Sequence, residues 1–147
     1  MPTNEEIKLV AGFMGWSEVG AIRRFIFFGR KNSIYKHADG RLTMFSTLKR
    51  FYSFDGLYHI VDEICTLKKY ETEIELRWYA QVAWIESFNG KTGIWEVEFD
   101  GTFFNQLGFQ NERIEIPYHS IKANNRKQAV WNAIIVFIKW YDLQDAL

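Results

Sequence analysis

The sequence predicts an α+β fold: an antiparallel sheet of about three to five strands packed against helices, including a long C-terminal helix. Three observations carry that expectation. Residues 73–84 alternate apolar and polar side chains, the period of a strand with one face on a core. Leu57, Ile60, Val61, Ile64 and Cys65 recur at the spacing of one helix face. Residues 129–141 are apolar around most of a helical circumference, as in a central helix lying across a sheet. The 147 residues have the size of one domain, and no repeat, low-complexity tract or Pro/Gly-rich linker divides them, so 1–147 is read as a single domain. A chain of this length buries roughly 68–70% of its unfolded surface and needs no disulfide or metal to fold.

Thr3 and Glu6 have the spacing of a capping box, in which a hydroxyl and a carboxylate satisfy amides at a helix start. Ile7, Val10, Ala11 and Met14, with Leu9 and Phe13, continue it as a short amphipathic helix that Gly15 stops. The stretch 20–52 is read as a hairpin insertion. Phe25-Ile26-Phe27-Phe28, bounded by Gly29, is expected to be a strand. Ile34–His37 and Leu42–Phe45 are expected to pair around Asp39-Gly40. Ser53 caps the second helix, which keeps Asp55, Asp62 and Glu63 away from its apolar stripe.

The alternating strand carries Ile74, Leu76, Trp78, Ala80, Val82 and Trp84 on one side. Asn89–Gly93 turns the chain, and Trp95, Val97 and Phe99 complete a long antiparallel hairpin. Gly101–Gln110 reads as a loop with Phe103, Phe104 and Phe109, and Arg113–Tyr118 as a third strand that Pro117 places at an edge. Asn125 with Gln128 caps the last helix, with Ser120 or Asn124 as earlier starts. Its main face is Val130, Ile134, Phe137, Ile138 and Tyr141, which Trp131 and Ile135 widen.

The composition is 48% hydrophobic and 24% charged, but 18% aromatic, with 13 Phe, 7 Tyr and 6 Trp. Rings in that number first of all build a core; the sharper reading exposes some for stacking or for a protein interface. One cysteine, Cys65, excludes an internal disulfide and a cysteine-built zinc site, and its place on the apolar side of a helix suggests a buried thiol. The acidic start Met1–Glu6 is unlike a signal peptide, and the apolar run 129–138 is far short of the roughly 20 residues of a membrane span. The expected setting is the cytoplasm, in a bacterial host cell, with no membrane contact. Net charge is zero but uneven: residues 1–69 hold 11 Lys+Arg against 7 Asp+Glu, and residues 70–147 hold 7 against 11. Within 20–50, Arg23, Arg24, Arg30, Lys31, Lys36, Arg41, Lys49 and Arg50 face only Asp39. Such a balance argues against a whole-surface nucleic-acid mimic and leaves room for one basic face.

Catalytic signatures are missing from the sequence. His37, His59 and His119 form no His-x-x-x-His or Glu-x-x-His pair, and there is no nucleophile elbow, phosphate loop or dinucleotide fingerprint. Glu73/Glu75 and Glu96/Glu98 could converge on the outer face of the hairpin, but alternating carboxylates there serve solubility more often than acid–base chemistry. Cys65 and His59 lie on different faces of one helix. No catalytic residue, metal or cofactor is expected. The remaining signal is 20–52, where cations interleave with rings, the pattern that meets backbone phosphate and stacks on bases. The site residues expected there are Arg23, Arg24, Arg30, Lys31, Lys36 and Arg41, with Tyr35 and Phe45 as stacking partners. The competing reading is an edge hairpin whose outward charges prevent edge-to-edge pairing and whose rings point inward.

Three landmarks stand in order: Phe13-Met14-Gly15-Trp16; Ser53-Phe54-Asp55-Gly56-Leu57 running into Val61-Asp62-Glu63-Ile64; and Ala129-Val130-Trp131-Asn132-Ala133 running into Phe137-Ile138-Lys139-Trp140-Tyr141. Together, over roughly a third of the chain, they resemble a family of small uncharacterised proteins of tailed bacteriophages and prophages. That family shows a Phe-Met-Gly-Trp start, a Ser-Trp-Asp-Trp-Leu helix opening and a closing helix ending Phe-Ile-Lys-Trp-Tyr. Phe54 and Gly56 stand where its pattern has tryptophans, and the segment between Trp16 and Ser53 is longer here. The resemblance implies a mobile-element origin and a shared scaffold, but no activity.

The expected function is that of a phage- or prophage-encoded accessory protein that acts by binding a host protein or protein–RNA complex. Inhibition of a defence component such as an RNA-guided nuclease is its most concrete form, with nucleic acid reached through the basic segment. Sequestration of a small molecule or nucleotide is the first alternative, and an enzyme whose site is assembled from distant residues the second.

Overall fold

A computed structural model describes residues 1–23, 31–67, 70–71, 74–86, 93–105, 110–114 and 120–145. The fold is α+β, with two antiparallel sheets and a long C-terminal helix. Helix α1, Asn4–Phe13, begins with the expected capping box: Glu6 N–H donates to Thr3 Oγ1, and Thr3 N–H donates to the Glu6 carboxylate at 2.8 Å. The helix ends before Gly15, whose φ of 78° is the left-handed conformation that stops a helix without strain only at glycine.

Strand β1, Trp16–Arg23, follows directly. It pairs antiparallel with β2, Lys31–His37, which pairs with β3, Leu42–Met44. The expected hairpin around Asp39-Gly40 is therefore present, with Gly40 at φ 93°. Strand β1 was not legible, because Ser17, Glu18, Gly20 and Ala21 give no apolar alternation. The expected strand at Phe25–Phe28 lies outside the described residues. Phe45 does not end β3 but opens a short helix, α2, Phe45–Leu48, which runs into a 3-10 turn at Lys49–Tyr52.

Ser53 caps helix α3, Phe54–Thr66, by accepting from Gly56 N–H at 3.0 Å. Leu57, Ile60, Val61 and Ile64 are buried as expected, while Cys65 is half-buried rather than enclosed. Gly56 is the tight point. A Cβ there would stand 2.5 Å from the Arg50 carbonyl oxygen and 2.8 Å from the Phe51 backbone, so the 3-10 turn can lie against α3 only over a bare glycine.

The second sheet contains β4, Tyr70–Glu71; β5, Ile74–Glu86; β6, Gly93–Asn105; β7, Gln110–Ile114; and β8, Ser120–Ala123. Strand β5 pairs with β6 without a register shift, from Ile74 opposite Asn105 to Glu86 opposite Gly93. Residues 101–105, expected in a loop, thus extend the strand: Gly101 reads as punctuation, but Thr102, Phe103 and Phe104 favour extended backbone. Along the other side of β6, β8 covers Trp95–Glu98 and β7 covers Gly101–Phe104. The expected third strand is met only at Arg113 and Ile114, in β7; its remainder, with Pro117, lies outside the described residues. Ser120 belongs to β8 and starts no helix.

Helix α4, Arg126–Asp145, starts at the Asn125 cap, whose Oδ1 accepts from Gln128 N–H at 3.2 Å. It packs on β6, β8, α1 and α3. Ala129, Val130, Trp131, Ala133, Ile134, Ile135, Phe137 and Ile138 are all buried, so the helix is enclosed over most of its circumference between 129 and 138. Phe137 meets Phe99, Phe13, Trp140 and Tyr141, with ring centroids 5.3–6.5 Å apart, so most described rings serve the core. Among the described residues no helix is long and apolar enough to cross a membrane.

Two glycine replacements should have opposite signs. Gly12→Ala, on the open side of α1, should stabilise the protein by about 0.5–1 kcal/mol, because nothing lies within 4 Å of the new methyl group. Gly56→Ala should destabilise it by about 1–3 kcal/mol despite alanine's better helix propensity, since backbone must move. Urea unfolding of both variants against the parent checks the pair.

Candidate binding surfaces

The small sheet places the described basic residues toward its two ends. Arg23 stands opposite Lys31 in the register at one end of the β1–β2 ribbon. Like charges directly opposite one another are unfavourable, and in the sequence Arg24 and Arg30 lie next to this pair, within residues 24–30 outside the described part. Lys36 and Arg41 belong to the other end, about 17 Å away at the rise of a strand. Lys36 is exposed, and no carboxylate pairs with it among the described residues.

Arg41 is held locally. Its Nε donates to Asp39 Oδ2 at 2.7 Å, its guanidinium lies 5.8 Å from the Trp16 ring centroid, and its backbone N–H donates to Asp39 Oδ1. His37 completes this cluster. Nδ1 is 2.8 Å from Asp39 Oδ1 and 3.2 Å from the Asp39 backbone nitrogen, and the imidazole packs on Trp16 with centroids 4.9 Å apart. Ala38 N–H donates to the Gly15 carbonyl, which docks the turn on the end of α1.

The two expected stacking rings have other roles. Tyr35 is 3% exposed and belongs to the core, where burial and the nearby Glu18 carboxylate raise its pKa. Phe45 is half-buried, 5.9 Å from the Tyr35 ring, and Lys49 Nζ covers it at 5.9 Å. A ring enclosed by its own fold offers no face to a base, so Tyr35 is a core residue; the inward-facing reading describes both rings better.

A second cation–ring cluster, unanticipated from the sequence, lies where α4 begins. Arg126 donates to Tyr58 Oη and places its guanidinium 5.5 Å from the Tyr58 centroid and 5.1 Å from that of Trp95. Lys127 Nζ lies 4.3 Å above the Tyr52 ring, whose hydroxyl donates to Gln128 Oε1 at 2.8 Å. These residues come from the 3-10 turn, α3, β6 and α4, so only the tertiary fold brings them together. One local signal was available: Arg126 and Lys127 open a helix with no acidic residue in its first turn, against the preference of the helix dipole.

Of the hairpin carboxylates, Glu73 lies outside the described residues, and the register sets the backbone positions of Glu75 and Glu98 apart. Glu75 lies opposite Phe104 and Glu98 opposite Gln81, six residues apart along β5, or about 20 Å. Glu96 is bound to Lys122 at 3.6 Å. Among the described residues no group of three His, Cys, Asp or Glu side chains is placed to hold a metal ion; His59 is exposed on α3, and His119 lies outside them.

The turn has a pH signature. The Arg41 backbone N–H, with His37 and the Arg41 guanidinium, lowers the Asp39 pKa from 3.8 to about 2. A depressed carboxylate contributes stability above its unfolded pKa and loses it as pH falls through the folded value. Asp39 should therefore titrate near pH 2 by carboxyl-carbon NMR, and the β2–β3 turn should loosen only between about pH 4 and 2. No family model, curated protein or solved structure matches this chain.

Proposed function

We propose that this chain is a phage- or prophage-encoded accessory protein that acts by binding, without turnover, and inhibits a host defence component such as an RNA-guided nuclease. The observation that carries the reading is the end of the β1–β2 ribbon, where Arg23 stands opposite Lys31 in the register; in the sequence, Arg24 and Arg30 lie between these two positions, outside the described residues. Four cations in nine residues, with two directly opposed, are costly for the free protein and favourable beside a polyanion. A protein–RNA complex presents such a surface together with protein contacts. Lys36 adds an exposed cation further along the ribbon, whereas Arg41 is engaged with Asp39. The resemblance of the helix landmarks to small phage and prophage proteins supports the same setting.

Inhibition of a purified RNA-guided nuclease should rise with added protein and saturate at a fixed stoichiometry. Reversing Arg23, Arg24 and Arg30 to glutamate should lower partner capture at least tenfold, about 1.4 kcal/mol, while circular dichroism and unfolding stay unchanged. Full capture by the folded triple variant would overturn the assignment of the ribbon.

A further inference from the structure

The exposed rings of α3 and the cations opening α4 form a surface separate from the ribbon. Phe54 and Tyr58 are 53% and 37% exposed and stand four residues apart, so their Cβ atoms lie about 5–6 Å from one another on one helix face. Beside Tyr58 sits Arg126, restrained by two rings and one hydroxyl. Its remaining N–H donors meet no acceptor among the described residues, and neither it nor Lys127 has a carboxylate partner there. Lys122 differs, because Glu96 already pairs with it. Two oriented cations with free donors suit phosphate oxygens, and two exposed rings on the adjoining helix suit the faces of unpaired bases.

We propose that Phe54, Tyr58, Arg126 and Lys127 form a binding site for single-stranded nucleic acid, with phosphates on the two cations and bases on the two rings. The site discriminates against duplexes, whose bases are stacked on one another and present no free face to Phe54 or Tyr58. It reads no sequence, because stacking tolerates every base. Asp55 and Asp62, also exposed on α3, limit the net positive charge, so affinity rests on stacking as much as on counterion release. For two phosphates, the slope of log affinity against log salt is about −1.4. The proposal does not depend on the ribbon, and the two can fail separately.

The test is fluorescence anisotropy of the full chain with a short labelled oligothymidylate, in parallel with a labelled duplex. The parent should bind the single strand at least tenfold more tightly than the duplex, with the shallow salt slope. Phe54→Ala removes an exposed ring without touching the core, and should weaken binding about tenfold. The double variant Arg126→Gln with Lys127→Gln should weaken it further and flatten the slope. The variant with Arg23, Arg24 and Arg30 reversed should bind the oligothymidylate as the parent does. Absence of binding at low salt, equal affinity for duplex, or insensitivity to Phe54→Ala would overturn the proposal. Loss of binding only in the Arg23, Arg24 and Arg30 variant would also overturn it, and would locate the nucleic-acid contact on the ribbon.

Discussion

The indole of Trp131 is fully buried, and its single N–H has to find an acceptor inside the protein. The acceptor is the Glu6 carboxylate at 3.4 Å, the same group that closes the capping box of α1. Capping the first helix and docking it on the last are therefore one arrangement. The Thr3 amide is the main cause of the lowered Glu6 pKa, with the Trp131 N–H adding to it against the opposing effect of burial. Tyr52 meets Trp131 edge-on at 5.5 Å and donates its hydroxyl to Gln128, whose amide in turn donates to Asn132. Through Tyr52 the 3-10 turn is fixed to α4, and through Gly56 it is fixed to α3. One buried ring thus sets the mutual position of three helices and of the turn that precedes α3.

Much of this scaffold was readable because the helices obey local rules. The Thr3–Glu6 cap, the Ser53 cap, the Leu57–Ile64 stripe and the broad apolar girth of α4 each act within a few residues, and each appears where periodicity placed it. The long hairpin was equally visible through its alternation. Strand β1 was hidden, since its residues satisfy the backbone pairing of β2 without burying a regular apolar face. Continuation of β6 past Gly101 was hidden for a related reason: the partner strand, not the glycine, decides whether the backbone stays extended.

The charged residues were legible in number but not in place. Counting along 20–52 gave a cluster, yet pairing rules send Arg23 and Lys31 to one end of a ribbon and Lys36 and Arg41 to the other. Tyr35 and Phe45 lie in the cation-rich segment of the sequence and nevertheless turn toward the core and toward one another. Conversely, Arg126, Tyr58 and Trp95 are 68 and 31 residues apart in the chain and meet only because β6, α3 and α4 converge. Composition reports which side chains exist; strand parity and helix docking decide which of them share a surface.

Gly56 carries a consequence for inheritance. With the Arg50 carbonyl and the Phe51 backbone pressed against it, this position is closed to every side chain unless residues 49–52 withdraw. Substitution at 56 and rearrangement of the preceding turn are therefore linked changes, neither of which is neutral alone. A lineage that keeps the turn must keep the glycine, and one that places a bulky residue there must also move the turn. The smallest residue on α3 is in that sense a record of the segment that lies across it.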